Sequence, residues 1–206
     1  MTFMLDENNY VGEDFVEVDL SDQEITGVDF TECDFSGAVL AGCLTSRTTF
    51  TRCTFVGAEL YSTKHSASSF VGCEFERTSW ADAVLTGCRL LGSTFTSCRL
   101  TGIRFTECDL TLASFAGEKL AGADLSGLRM REINLTGSDL HGCDLRGADL
   151  AGARTTRANL SGADLRGAVI DAATWVGATL TGATIDVDQA VLYAASHGLT
   201  LAGADR

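Results

Sequence analysis

The chain has 206 residues, a formal net charge of −13 and 45% hydrophobic residues, enough for one domain with a packed interior. An acidic balance of this size argues against direct binding of nucleic acid, and no apolar run is long enough to cross a membrane. Proline is absent, and the eight cysteines form no CxxC pair and no cluster with histidine, so a zinc site is not indicated.

Residues 1–12 are expected to lead into and cap the body of the protein. Their sequence, MTFMLDENNY and two further residues, has no basic region and no apolar core. No export signal is therefore expected, which points to the cytoplasm and to reduced cysteines.

From about Glu13 to Val187 the chain follows a frame of five. Every multiple of five from Phe15 to Ile185 is Phe, Leu, Ile, Met or Trp, except Thr45, His65 and Thr155. A period of five fits neither a continuous strand nor a continuous α-helix, so the backbone must turn once per block. We call the large inward residue i. All eight cysteines fall at i−2, and twenty of the 22 glycines fall at i+2, where a corner demands unusual backbone angles. Phenylalanine gives the number of sides. Seven Phe pairs lie 20 residues apart, against three each at separations of 5, 15 or 25. One column is Phe15, Phe35, Phe55, Phe75, Phe95 and Phe115; Phe30, Phe50 and Phe70 form another. Twenty residues per coil means four sides of five, an all-β solenoid that stacks its coils like neighbouring strands.

In chain order, the first coils hold most of the acid: Asp6 to Asp34 contains eleven acidic residues, and no Lys or Arg precedes Arg47. Near Tyr61–Ser69 the motif is weakest. His65 occupies an inward position one coil above Thr45, so the two either share a buried hydrogen bond or a bulge turns His65 outward. A metal there would lack further ligands. Between 70 and 120, Arg77, Arg89, Arg99 and Arg104 break up the acid. From 121 to 170 the motif is most regular, with Asp124, Asp139, Asp144, Asp149 and Asp164 at i−1 among interspersed arginines. Residues 13–186 are thus one solenoid, and 187–206 form a separate tail. There Asp186 and Gln189 make a capping box, Val187, Ala190, Val191 and Ala194 share a helical face, and Gly198 suits the stop.

The block CDLRGADLAGARTTRANLSGADLRG (143–167) resembles the pentapeptide-repeat proteins, which fold as right-handed quadrilateral β-helices. ARTTRANLSGADLRGA (153–168) followed by IDVDQAVLYAASHGLTLAG (185–203) is similar to the fluoroquinolone-resistance type within that family. Qnr members carry loops that interrupt the repeat; its continuity here favours the MfpA type. The resemblance implies a homodimer joined end to end through Val187, Ala190, Val191, Leu192, Tyr193, Ala194 and Leu199. It also implies a rod that imitates DNA and binds DNA gyrase, competing with the duplex, inhibiting supercoiling or protecting the enzyme from quinolones. Candidate contacts are the outward acids Asp14, Asp19, Asp29, Asp34, Asp109, Asp124, Asp139, Asp144, Asp149 and Asp164.

The residues themselves offer no catalytic set. His65, His141 and His197 are scattered, and no GxSxG, P-loop, HExxH or Rossmann pattern occurs. No cofactor, no metal and no enzymatic activity are expected. A rod of about 8.6 coils at ~4.8 Å per coil is roughly 41 Å long, and an end-to-end dimer spans roughly 85–95 Å. Its −26 charge is then about half as dense as that of B-DNA, which carries one charge per about 1.7 Å. The competing expectation is an interaction solenoid with another protein target, or a self-immunity protein against a gyrase toxin.

Overall fold

Side chains five residues apart point inward together, and the backbone turns between them. The computed structural model describes residues 5–200 and 202 and winds them as a four-sided parallel β-solenoid capped by one α-helix. Its short strands are β1 (Asn9–Val11), β2 (Glu24–Thr26), β3 (Asp29–Thr31), β4 (Leu44–Ser46), β5 (Thr49–Thr51) and β6 (Lys64–Ser66). They continue as β7 (Ser69–Val71), β8 (Glu74–Glu76), β9 (Val84–Thr86), β10 (Thr94–Thr96) and β11 (Arg104–Thr106). Register is fixed at 20 residues: Phe30 faces Phe50, Thr45 faces His65, and Phe75 faces Phe95. One sheet orders β1-β3-β5-β7, a second β11-β9-β6-β4-β2, and the third holds β8 and β10. Beyond Thr106 the same ladder continues as single bridges, from Asp109↔Arg129 to Asp164↔Thr184. Pairing starts at Asn9, before the sequence repeat becomes clear at Glu13.

Every i+2 residue from Gly12 to Gly167 sits in the left-handed region, whether glycine or not. The corners come in two kinds. In closed corners the next i−2 residue donates its N–H to the preceding i carbonyl, as Ala38 does to Phe35 at 3.0 Å and Ala113 to Leu110 at 3.0 Å. The corners after β3 to β11 all present Cys, Thr or Ser at that position, and all of these side chains but Ser68, which donates to Ser66 O in its own coil, reach carbonyls of the coil below. Thr78 Oγ1 donates to Phe55 O at 2.7 Å, Thr48 Oγ1 to Ile25 O at 2.9 Å, and Cys108 Sγ to Leu85 O at 3.3 Å. The cysteines are thus donors as well as fillers, and all eight are free. Burial pushes the Cys43 and Cys143 thiols up to about 11.

Two of the four inner columns are aromatic, one as far as Phe70 and the other as far as Phe115, and mainly Leu, Ile and Met fill the rest of the interior. Phe15, Phe35, Phe55, Phe75, Phe95 and Phe115 stack with centroids 4.3–4.9 Å apart. Tyr10, Phe30, Phe50 and Phe70 stack beside them, and rings of the two columns meet edge to face. Both geometries are favourable for quadrupoles. At the first coil, the Tyr10 hydroxyl accepts the Asp6 and Glu7 N–H groups and so ties the lead-in down.

His65 faces inward. Its Nδ1 lies 2.7 Å from Thr45 Oγ1 and its Nε2 3.0 Å from Thr63 Oγ1. Because Thr63 donates to Leu60 O at 2.8 Å, it accepts from His65, which places the proton on Nε2. Burial beside Phe70 and Trp80 pushes the His65 pKa down to about 3.

The sequence frame is unbroken to Val187, yet the backbone departs from it at Ala172–Trp175, a single 3-10 turn. Asp171 is the cause. Its carboxylate accepts Gly152 N–H at 2.7 Å, a bond made in most preceding coils by a carbonyl of the next coil and at Gly167 by the Asp186 carboxylate, and also accepts from Thr174. The α-helix α1 (Val187–Ser196) then closes the end. Asp186 accepts Gln189 N–H, and Gln189 Oε1 accepts Asp186 N–H. The same Gln189 amide donates to Leu165 O and Ala168 O at 2.7 and 2.9 Å, satisfying carbonyls of the last coils. At the stop, Gly198 N–H donates to Ala195 O and Leu199 N–H to Ala194 O, a Schellman pair around Gly198 at φ 72°. The expected tail 187–206 lies partly outside the described residues, as do residues 1–4 of the lead-in.

Phe55→Ala removes a ring held by four aromatic neighbours and should cost about 3–5 kcal/mol in urea unfolding; a change near zero would mean the ladder is not interior. His65 supplies a pH test. Unfolded histidine takes up a proton below about 6.5, whereas folded His65 does so only near 3, so stability is complete above pH 6.5 and declines as pH falls. Between pH 7 and 5 the wild type should lose about 2 kcal/mol more than His65→Gln, read from unfolding midpoints at each pH.

Candidate protein-interaction surface

Solenoid interiors are filled, so what this molecule offers a partner is its outside. Among the described residues no group of three or more His, Cys, Asp and Glu could hold a metal ion, and no helix is long and apolar enough to cross a membrane. The outer positions are i−1, i+1 and i+2, and the candidate acids stand at i−1. Asp14, Asp19, Asp29 and Asp124 are exposed; Asp34, Asp109, Asp139, Asp144, Asp149 and Asp164 are half-buried.

All of these but Asp29 do a second job that sequence reasoning missed. Each carboxylate accepts the N–H of its own i+1 residue, as Asp14 does from Val16 at 2.8 Å, Asp34 from Ser36 at 2.9 Å and Asp124 from Ser126 at 3.0 Å. Asn134 and Asn159 replace Asp in the same role. A signal was present: Ser or Thr two residues after the acid, as in DFS and DLS, adds a hydroxyl donor, seen at 2.6 Å from Ser126 to Asp124. The bond fixes where each charge stands. Asp124, Asp144 and Asp164 therefore form a column along one side, each bridged to the next coil.

Fixed like charges one coil apart repel, and in this half arginines separate them. Arg146 reaches Asp144 at 2.5 Å and Asp164 at 3.9 Å, and Arg166 reaches Asp164 at 2.6 Å. Arg129 pairs with Asp109 at 3.4 Å and Arg131 with Asp149 at 3.1 Å. The Arg166 hydrogen bond holds the Asp164 carboxyl down at about 2, and Arg146 holds Asp144 below its ordinary value. Exposed pairs like these add little stability, but they cancel field. Residues 1–46 contain eleven acids and no Lys or Arg, whereas residues 47–206 contain 17 acids against 15 bases. So −11 of the −13 sits on the first coils, where Asp14 and Asp34 stack on one side.

The other end is apolar. Helix α1 seats itself through Gln189, Tyr193 and Ala194; Tyr193 meets Trp175 edge-on at 5.8 Å. Val187, Ala190, Val191, Leu192 and Leu199 are exposed, Val187 by 79% and Leu199 by 62%. The shared face read from sequence is therefore divided: Ala194 packs on the coil while Val187, Ala190 and Val191 look outward.

The described residues thus form a capped four-sided solenoid with one acidic end and one apolar end. Two pentapeptide-repeat family models match it, one described as a pentapeptide repeat region over residues 45–125, the other as pentapeptide repeats of eight copies over 14–44, 113–152 and 158–186. The chain belongs to the pentapeptide-repeat family. No curated protein sequence matches it. Among solved structures it is similar to QnrB1, a plasmid-mediated fluoroquinolone resistance protein. Two trypsin-treated forms give TM-scores of 0.81 and 0.80 at 24% identity, covering 94% of this chain and 97% of theirs. The full-length form gives 0.65 at 23% identity over 93% of this chain and 97% of that one. At these identities the likeness is one of fold.

The arginine pairing has a direct check. In Arg166→Ser the Asp164 pKa should rise from about 2 toward the ordinary carboxylate range, measured by carboxyl-carbon NMR titration. An unmoved value would show that the pair does not form in solution.

Proposed function

We propose that this protein is a non-enzymatic, cytoplasmic DNA mimic that binds DNA gyrase as an end-to-end homodimer and competes with duplex DNA for the enzyme. Within the fluoroquinolone-resistance type it stands nearer MfpA, on the continuity of the repeat and the C-terminal helix. The observation that carries the reading is a rod with no inserted loop and with nearly all its net charge at one end. Over the first two coils and a little more, about 11 Å of rod, eleven negative charges amount to roughly one per 1 Å, denser than one per 1.7 Å on B-DNA. The remaining coils are near neutral. Joined through Val187, Val191, Leu192 and Leu199, two rods place these acidic ends at the far tips. A basic DNA-binding surface would then be engaged at two separated points, by the tips rather than by a uniform strip. Exposed apolar side chains around α1 give the joint a reason to form.

A second reading, an interaction or self-immunity solenoid with another protein target, draws on the self-neutralised Asp–Arg surface beyond Arg47, which has little in common with a phosphate backbone.

The two separate in a supercoiling assay with purified gyrase. Inhibition at micromolar protein is expected, weakening strongly with salt. A variant carrying Glu13→Gln, Asp14→Asn, Glu17→Gln and Asp19→Asn keeps the corner acceptors of Asp14 and Asp19 and should lose at least about tenfold in potency. Val191→Asp should run as a monomer on gel filtration. No inhibition by the wild type would sink the gyrase reading.

A further inference from the structure

Ladder bonds between coils recur with fixed offsets around the rod, and they fail together at one joint. On either side of it, Phe95 N–H donates to Ser114 O at 2.8 Å and Leu110 N–H to Arg129 O at 2.7 Å. Between them, among the described residues, the equivalent bonds from Leu100 to Lys119, Gly102 to Ala121, Phe105 to Asp124 and Glu107 to Ser126 are not made, nor are those from Lys119 to Cys98 and Asp124 to Ile103. The bridges fail in parallel. Ser79 bridges Arg99 and Lys119 bridges Asp139, but Arg99 does not bridge Lys119. Arg104 bridges Val84 and Asp124 bridges Asp144, but Arg104 does not bridge Asp124. Two adjacent sides of the rod are parted while the other two stay closed. The gap is a cavity of about 440 Å³ running from Leu100–Arg104 to Lys119–Asp124.

Glu118 explains the parting. It occupies an inward i−2 position that takes a small residue in most coils, and it is 4% exposed. Its carboxylate accepts the Cys98 N–H at 3.1 Å, the place that the smaller Ser68 and Ser93 hydroxyls take for Thr48 and Cys73. Ile103, also at i−2, adds bulk on the facing wall. Leu128 and Ile133 hold the same position in coils that stay closed, so the buried carboxylate of Glu118 is the group that sets this joint apart.

What is left is two facing strand edges with free N–H and C=O groups, apolar walls of Leu100, Ile103 and Leu120, and a rim of Arg104 and Lys119, with Asp124, its carboxylate turned onto Ser126, at one end. Arg104 and Lys119, the two cations of the lining, make no ion pair among the described residues, whereas Arg52, Arg129, Arg131, Arg146 and Arg166 do. Free donors and acceptors alternating along an edge select a polypeptide backbone, and the rim selects acidic side chains. We propose that this slot docks an extended, acidic peptide segment of a partner protein, which pairs with the exposed edges and seats alternate side chains against the apolar walls. A volume of about 440 Å³ lies within the range of built ligand sites, about 300–1,000 Å³. The closed sides opposite serve as the hinge on which the walls adjust.

The full chain, labelled with ¹⁵N, is titrated with two blocked probes, Asp-Val-Glu-Val-Asp and Lys-Val-Lys-Val-Lys. Expected are amide shifts confined to residues 97–107 and 119–126 with the acidic probe alone, and slowed hydrogen exchange at Leu100, Gly102 and Phe105. Glu118→Ala restores the small residue, so the ladder should zip shut, those amides should become protected without peptide, and binding should fall at least tenfold. Arg104→Ser with Lys119→Ser changes only exposed residues and should also weaken the acidic probe about tenfold. Slow exchange at Leu100 and Gly102 in the free protein would mean the slot is closed and would overturn the proposal. So would equal binding of the two probes, the same shifts from inorganic phosphate, or none at millimolar peptide. The assay contains no gyrase, so its failure leaves the gyrase reading where it stands.

Discussion

Everything in this molecule hangs on one exchange, the N–H of one coil donated to a carbonyl of the next, repeated on four sides. It sets the 20-residue register, keeps aromatic rings at stacking distance and satisfies most backbone groups, leaving the i+1 N–H groups to aspartates and the open corners to Ser, Thr and Cys side chains. The ends show the cost of stopping. Tyr10 and Gln189 are polar side chains spent on backbone groups that have no further coil to pair with. Where the exchange lapses at the Glu118 joint, the rod acquires the one feature a regular solenoid lacks, a pair of unpaired edges.

The architecture was legible because each coil repeats one instruction. A large residue every fifth position, a small one two before it and a residue tolerant of positive φ two after it are each visible in sequence, and three columns agreeing leave little freedom. Stacking put His65 one coil from Thr45 but left its direction open; the inward-facing pair is what the structure adds. What escaped was anything set by a single side chain reaching across coils. Asp171 looks like any other outward acid, yet it displaces a carbonyl and breaks the frame into a 3-10 turn. Glu118 falls in the column of alanines and cysteines, and only the failed ladder shows its effect. The cysteines read as fillers because size was the only property the column averaged; their thiols proved to be donors.

The interaction surface was legible in position but not in charge state. Counting acids finds the outward aspartates; it does not find that Asp109, Asp144, Asp149 and Asp164 lie beside arginines two to twenty residues away in sequence. Folding brings those arginines to the same side of the rod, so the regular Asp ladder, the most eye-catching part of the sequence, carries little net field. The irregular N-terminal coils carry it.

The corners explain why a rod of this kind cannot match a duplex in charge all along its length. Corner residues stand farthest from the axis, and Glu17, Asp22, Asp82 and Glu132 hold acids there at positive φ. Each is followed one coil later by glycine. A Cβ on Gly42 would lie 2.2 Å from Asp22 Oδ1, one on Gly102 2.3 Å from Asp82 Oδ1, and one on Gly152 2.9 Å from Glu132 Cγ. At these four corners the acid folds over a bare glycine, so like charges on those edges are at least two coils, about 9.6 Å, apart; at Glu32 the next corner is instead Arg52, which pairs with it. The i−1 column escapes this limit by standing between corners, but there the charges are one coil apart and arginines answer them. Only by using several edges and sides at once, as Glu13, Asp14, Glu17, Asp19 and Asp22 do, can the fold concentrate uncompensated charge, and it does so where the chain begins.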